Sequence, residues 1–237
     1  MGRVFEKRKH KMFARYDKMA KAFTRIGKEI AIAVKMGGPH PDANPRLRMA
    51  IQNAKAVNMP KDRVEGAIKR ASSKDESNFD EVVYEGYAPH GVAILVETAT
   101  DNPTRTVANV RMHFNRGNGT LGKTGSLDFV FDRKGIFKIA KGSLQLEEIE
   151  LDLIDFGAEE VMEDEEAFYV YTSFTDFGGM QKAMEEKGIT ILNAELQRIP
   201  KTLVELSGDQ QKEVTSLVER LEEDDDVQAV YHNMKEE

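Results

Sequence analysis

Apolar residues recur at helical spacing from the amino end of the chain. At about 100° per residue, Met12, Phe13, Tyr16, Met19, Ala20, Phe23, Ile26, Ile30 and Ala33 fall in one sector of a wheel, and Lys11, Arg15, Lys18, Lys21, Arg25 and Lys28 fall opposite. This predicts a helix running to about Met36, with one packing face and one cationic rail. At about 1.5 Å rise per residue, the rail from Lys11 to Lys28 spans roughly 25 Å, enough to follow several phosphates. The break Gly37-Gly38-Pro39-His40-Pro41 ends the helix, and Asn44-Pro45 supplies an N-cap followed by proline in the first turn of a second. Leu47, Ile51 and Ala54 give that helix its spacing, and Arg46 and Arg48 give it charge. Pro60 opens a third, with Val64, Ala67, Ile68 and Ala71 inward and Lys61, Arg63, Lys69 and Arg70 available to solvent. Ser72 to Asn78 reads as a polar linker.

The period then changes. Glu81 to Tyr87 and Gly91 to Thr98 read as paired strands around the turn Ala88-Pro89-His90. Asn102-Pro103 caps a helix through Val107, Val110 and Phe114 that ends near Arg116-Gly117. Ser126 to Asp132 alternates, with Leu127, Phe129 and Phe131 on one side, and reads as a strand. From Gly135 the expected order is strand Ile136–Ala140, helix from a Ser143 cap to about Phe156, strands Ala158–Met162 and Phe168–Thr172, helix Asp176–Lys187 and strand Ile189–Ile199. That is the βαββαβ succession of a ferredoxin-like unit. A strand near Leu203–Leu206, a helix opened by the capping box Ser207-Gly208-Asp209-Gln210 and a strand Val227–His232 follow. Having no sheet of their own, these closing elements are expected to return to the sheet begun at Glu81.

Charge is divided as sharply as periodicity. Residues 1–75 hold 19 Lys and Arg against 7 Asp and Glu, net +12, whereas the remainder holds 15 against 34, net −19. Such segregation suits a chain whose basic end meets a polyanion, so a rail that alone would read as a solvated amphipathic face reads here as facing nucleic acid. With 40% apolar residues the 237-residue chain can build packed cores, and without cysteine it has neither disulfides nor thiolate sites. No apolar run approaches the roughly 18 residues of a membrane span, and the amino end lacks the apolar core of a signal peptide, so a cytoplasmic location and no membrane partner are expected.

Gly117-Asn118-Gly119-Thr120-Leu121-Gly122-Lys123-Thr124 satisfies the phosphate-loop pattern GxxxxGK[ST] letter for letter. Its context is reversed, because a phosphate loop follows a strand and opens a helix, whereas this one follows a helix and leads into a strand. A glycine-rich connection is expected, with Arg116 and Lys123 as secondary phosphate contacts. The histidines His10, His40, His90, His113 and His232 are dispersed, so neither a metal site nor a cofactor is expected. Glu222-Glu223-Asp224-Asp225-Asp226 reads as a solvated turn, and no catalytic triad is recognisable, so the chain is expected not to be an enzyme.

Several blocks resemble the YebC family: Asn44-Pro45-Arg46-Leu47-Arg48, Asn58-Met59-Pro60-Lys61-Asp62 with Ala67-Ile68-Lys69-Arg70, and Tyr84-Glu85-Gly86-Tyr87 through Gly91-Val92-Ala93. Thr100-Asp101-Asn102 with Arg105-Thr106, and Gly119-Thr120-Leu121-Gly122 through Phe131-Asp132-Arg133-Lys134-Gly135, complete the match. Members of that family are often named probable transcriptional regulators, and mitochondrial relatives are described as translational activators. The resemblance, which extends in order from about Phe23 to the carboxyl terminus and more loosely after Gly135, implies a multidomain α+β protein: a three-helix domain at 1–75, a middle α+β domain at 79–134 and 201–237, and a ferredoxin-like domain at 135–200 inserted into it. Family members commonly open with a Gly-His-Ser-Lys-Trp-like block, whereas this chain opens Gly2-Arg3-Val4-Phe5 and has no tryptophan. A start of the match near Met1 suggests a bacterial rather than an organellar member.

The function expected from these features is a non-enzymatic, nucleic-acid-binding regulator of gene expression. The resemblance implies a DNA-binding transcriptional regulator. The alternative is a ribosome-associated translation factor holding ribosomal RNA. Phosphate contacts are expected from Lys11, Arg15, Lys18, Lys21, Arg25, Lys28, Arg46, Arg48, Lys61, Arg63, Lys69 and Arg70, and the transcription machinery or the ribosome would be the further partner.

Overall fold

A computed structural model describes residues 2–73, 78–142 and 145–235, with side chains described from Met19 onward and not at residues 146 and 147. The chain forms two units, 1–79 and 80–237.

The first unit is helical: α1 (Gly2–Gly37), α2 (Pro45–Ala56) and α3 (Lys61–Ala71). Its core joins Ile26, Ile30, Ala33 and Val34 of α1 to Leu47, Ala50 and Ala54 of α2 and Val64, Ala67 and Ala71 of α3. The apolar stripe read from the sequence thus packs in its later part, whereas Ala20 is exposed and Phe23 half-buried. Asn44 fastens the helices together. Its Nδ2 donates to the carbonyl oxygens of Ala33 at 2.7 Å and Gly38 at 2.8 Å, while its Oδ1 accepts from the Leu47 amide at 3.1 Å. One carboxamide therefore caps the carboxyl end of α1 and the amino end of α2. A Cβ at Gly37 would stand 2.7 Å from this side chain, so glycine leaves the room that Asn44 fills.

The second unit opens with β1 (Asp80–Tyr87), β2 (Ala93–Thr100), α4 (Pro103–Arg116) and the two-residue β3 (Thr120–Leu121). It continues with β4 (Phe131–Ala140), α5 (Leu146–Asp155), β5 (Ala158–Glu163), β6 (Ala167–Ser173), α6 (Phe177–Glu186) and β7 (Ile191–Pro200), and closes with α7 (Gly208–Glu222) and β8 (Val227–His232). One antiparallel sheet has the order β3-β1-β2-β8 and the other β5-β6-β4-β7. The βαββαβ succession expected from Gly135 onward is present as β4-α5-β5-β6-α6-β7. The closing elements do return to the first sheet, where Ile94 pairs with His232. Val110 and Phe114 of α4 and Val214, Leu217 and Leu221 of α7 pack with Ile94 and Val96 of β2. A second cluster joins Ala93 and Leu95 to Leu127, Val130 and Phe131. In the other sheet Phe137 and Phe177 stack at 4.7 Å, and Leu153, Met180 and Met184 are fully buried.

Three expectations are corrected. Residues 124–130, the first part of the predicted strand Ser126–Asp132, form turns, and β4 begins only at Phe131. The cause is Glu85, a buried carboxylate on β1 that accepts the amides of Gly125 at 2.8 Å and Leu127 at 2.7 Å and the Ser126 hydroxyl at 3.2 Å. The β4 strand then runs unbroken through Gly135, which is no terminator: a Cβ there would lie 2.3 Å from the Phe177 ring, so glycine lets the helix lie against the strand. Around Leu203–Leu206 there is only an isolated parallel bridge between Val204 and Met234. The Ser143 cap lies outside the described residues, and the α5 helix is preceded by Gln145.

Candidate nucleic-acid interface

The basic helices leave a groove of about 540 Å³ beside their core, bordered by α1, α3 and the segment that reaches Phe79. Two half-buried rings line it, Phe23 from α1 and Phe79. Each carries a cation over its face: the Arg63 guanidinium lies 5.6 Å from the Phe23 centroid, and the Lys28 ammonium 5.4 Å from that of Phe79. Arg70 adds a third positive charge, and none of the described lining residues is acidic. Gly27 contributes backbone where a side chain would enter the groove, since a Cβ there would meet nothing within 4 Å.

Of the twelve cations expected to hold phosphates, Lys28, Arg63 and Arg70 are thus gathered at one place. Lys21 and Arg25 are half-buried on α1, and Lys69 is exposed on α3. Lys61 stands 3.5 Å from Glu65, an exposed pair that water screens. Arg46 directs Nη1 to the Met36 sulfur at 3.1 Å. Arg48 has a structural task, because its Nη1 donates to the carbonyl oxygens of Pro41 at 2.8 Å and Asp42 at 3.0 Å and so holds the short turn between α1 and α2. Lys11, Arg15 and Lys18 lie on α1 with side chains outside the described residues.

Arg116 and Lys123 belong to the second unit, both exposed, at the start and end of the glycine-rich stretch. That stretch has no amide cradle for a phosphate. The amides of Gly117, Asn118 and Gly119 donate to carbonyl oxygens of the last turn of α4, that of Gly122 donates to Glu85, and Thr120–Leu121 pair with β1. Its glycines serve packing: a Cβ at Gly117 would fall 2.9 Å from Leu217, and one at Gly119 2.7 Å from the Tyr87 carbonyl oxygen. The reversed order of elements and the spent amides give the same answer.

The groove is not legible in the sequence, because its rings and cations come from three separated segments and the helical spacing of Phe23 is that of the packing face. Nor is the role of Asp226, in the acidic run expected to be solvated. Asp226 is buried and accepts from Thr100 at 3.2 Å, Thr106 at 2.8 Å and Arg105 at 2.8 Å. Arg105 also reaches Asp101 at 2.8 Å. Burial and the nearby Asp226 charge raise the Tyr84 phenol above its ordinary pKa. The Thr100–Thr106 block is therefore a clamp on the turn before β8.

Among the described residues no group of three His, Cys, Asp or Glu side chains could hold a metal ion, and no helix is long and apolar enough to cross a membrane.

A basic helical unit joined to an α+β unit of two antiparallel four-stranded sheets defines a multidomain α+β protein with its positive charge concentrated at one end. The TACO1/YebC N-terminal domain matches residues 3–74, and the TACO1/YebC second and third domain matches residues 79–234. The chain belongs to the TACO1/YebC family. It is 59% identical over 236 residues to a protein of Cytophaga hutchinsonii named probable transcriptional regulatory protein, covering 100% of this chain and 99% of that one. A relative of the same name from Flavobacterium johnsoniae is 58% identical over 237 residues, covering 100% of both chains. The fold is similar to the crystal structure of a conserved hypothetical protein of Aquifex aeolicus, with a TM-score of 0.77, 38% identity and coverage of 91% of this chain and 90% of that one. The family is one of regulators rather than enzymes.

Proposed function

We propose that this chain is a DNA-binding transcriptional regulator acting in the cytoplasm, in which the helical unit holds the sugar-phosphate backbone. The observation that carries the reading is the concentration of net +12 on residues 1–75, with Lys28, Arg63 and Arg70 drawn around one groove. The names of the relatives support transcription as the process, and none of those given above speaks of translation or the ribosome. The phosphate contacts are assigned to Lys11, Arg15, Lys18, Lys21, Arg25, Lys28, Arg46, Lys61, Arg63, Lys69 and Arg70, with Arg48 acting through the turn it holds. Arg116 and Lys123 are secondary. The acidic remainder, read as a middle domain at 79–134 with 201–237 and an inserted domain at 135–200, repels nucleic acid and so turns the basic end inward, or meets a basic protein partner.

Binding of the full chain to duplex DNA, followed by fluorescence anisotropy across a salt series, tests the reading. With roughly six phosphates neutralised, log K falls against log salt with a slope of about −5. Lys21→Glu with Arg25→Glu weakens binding and makes the slope shallower. A slope near zero, or a charge-reversed variant that binds like the parent, would overturn it.

A further inference from the structure

We propose that the groove between α1 and α3 seats an unpaired nucleobase, so that the nucleic acid held by the helical unit is single-stranded, or has a base turned out, at that point. The inference rests on the proposed function and adds the form of its ligand.

Holding a phosphate chain requires cations but no aromatic rings. This surface is concave, with two aromatic rings in its wall and cations at the rings. Its volume of about 540 Å³ lies within the roughly 300–1,000 Å³ of sites that enclose small ligands. A flat aromatic body bearing an adjacent anion matches such a lining. The base stacks on the Arg63 guanidinium that Phe23 backs, while Lys28 and Arg70 meet the flanking phosphates. In a duplex the base faces are covered by their neighbours, and reading through the major groove uses a protruding helix, which this groove does not supply. Among the described residues the lining holds no carboxylate that would repel a phosphate. Gly27 lines the groove with open space where a Cβ would stand, at a mid-helix position where almost any other residue would favour the helix more.

Gly27 supplies the test. A Gly27→Leu side chain projects into the groove, removes no cation and suits the helix better than glycine, so the fold is retained, as thermal unfolding would verify. Affinities of the full-length parent, Gly27→Leu and Phe23→Ala are measured for single-stranded DNA, single-stranded RNA and duplex DNA of one sequence at matched salt. The expected result is that a single strand of either sugar binds more tightly than the duplex. Both variants then lose on the order of tenfold for that strand, more than they lose for the duplex, while the salt slope of the strand stays unchanged. A 2-aminopurine in the strand changes its fluorescence on binding the parent and not on binding Gly27→Leu. If both variants bind the single strand like the parent, the groove is not a base site, although the phosphate reading survives through its salt slope. If the parent binds neither strand nor duplex with a salt-dependent affinity, both proposals fall.

Discussion

The Arg105 guanidinium and the Asp226 carboxylate meet at 2.8 Å, tying the first turn of α4 to the turn before β8. The carboxylate is buried and the guanidinium half exposed, so the pair is a boundary contact whose inner side is completed by the hydroxyls of Thr100 and Thr106. Removing the carboxylate takes away the acceptor shared by Thr100, Thr106 and Arg105, leaving Thr106 its bond to the Asn102 carbonyl oxygen and Arg105 its bond to Asp101. Asp226→Ala is expected to lose about 3 kcal/mol. At roughly 2–4 °C per kcal/mol for a unit of this size, the unfolding midpoint in calorimetry falls by about 10 °C.

Asn44 gives a sharper test, because its two ends do different work. Asn44→Ala removes the bonds to Ala33, Gly38 and Leu47 and is expected to destabilise the helical unit by about 2–3 kcal/mol in urea unfolding. Asn44→Asp keeps a good N-cap for α2 but turns a carboxylate oxygen toward two carbonyl oxygens. It should therefore be no more stable than Asn44→Ala, even though aspartate and asparagine are equal as isolated caps.

Glu85 organises residues 124–130 from β1, which β2, α4 and β3 separate from them in the chain. Glu85→Gln replaces a charged acceptor of two amides by a neutral one and is expected to cost about 1.5–3 kcal/mol. Hydrogen exchange at the Gly125 and Leu127 amides should accelerate more than at the Ile94 amide in β2. Equal acceleration at all three would mean that the carboxylate supports the sheet and not the turn.

Asp164 accepts the amides of Glu166 and Ala167, each at 2.7 Å, and those bonds hold its carboxyl below the usual aspartate pKa. A lowered folded value means stabilisation that is full above the unfolded pKa of about 3.9 and is lost as pH falls through the folded value. Asp164→Asn should therefore differ from the parent in thermal unfolding near neutral pH and converge with it in acid. An NMR titration of the Asp164 carboxyl midpoint checks the direction independently.

The sequence was most legible where local chemistry decides the outcome. Asn44-Pro45 and Asn102-Pro103 open α2 and α4 as expected, and each asparagine accepts an amide from the following turn. Alternation was enough to locate β6, where Phe168, Val170 and Thr172 are buried. It misled at Ser126–Asp132 because a distant carboxylate captured the amides that a strand would have used. Gly135 misled for the complementary reason: it marks the close approach of a helix, which is invisible until α6 is in place. The candidate site follows the same rule. Its charge was readable from composition, but its concavity depends on where Phe79 lies against α1 and α3.

The antiparallel register that sets Ile94 against His232 has a temporal corollary. Synthesis proceeds from the amino end, so β2 emerges early and keeps one side unmatched while everything up to α7 is translated. The first sheet can close only once the last strand leaves the exit tunnel. Until β8 arrives, the β2 edge is an open template for intermolecular pairing.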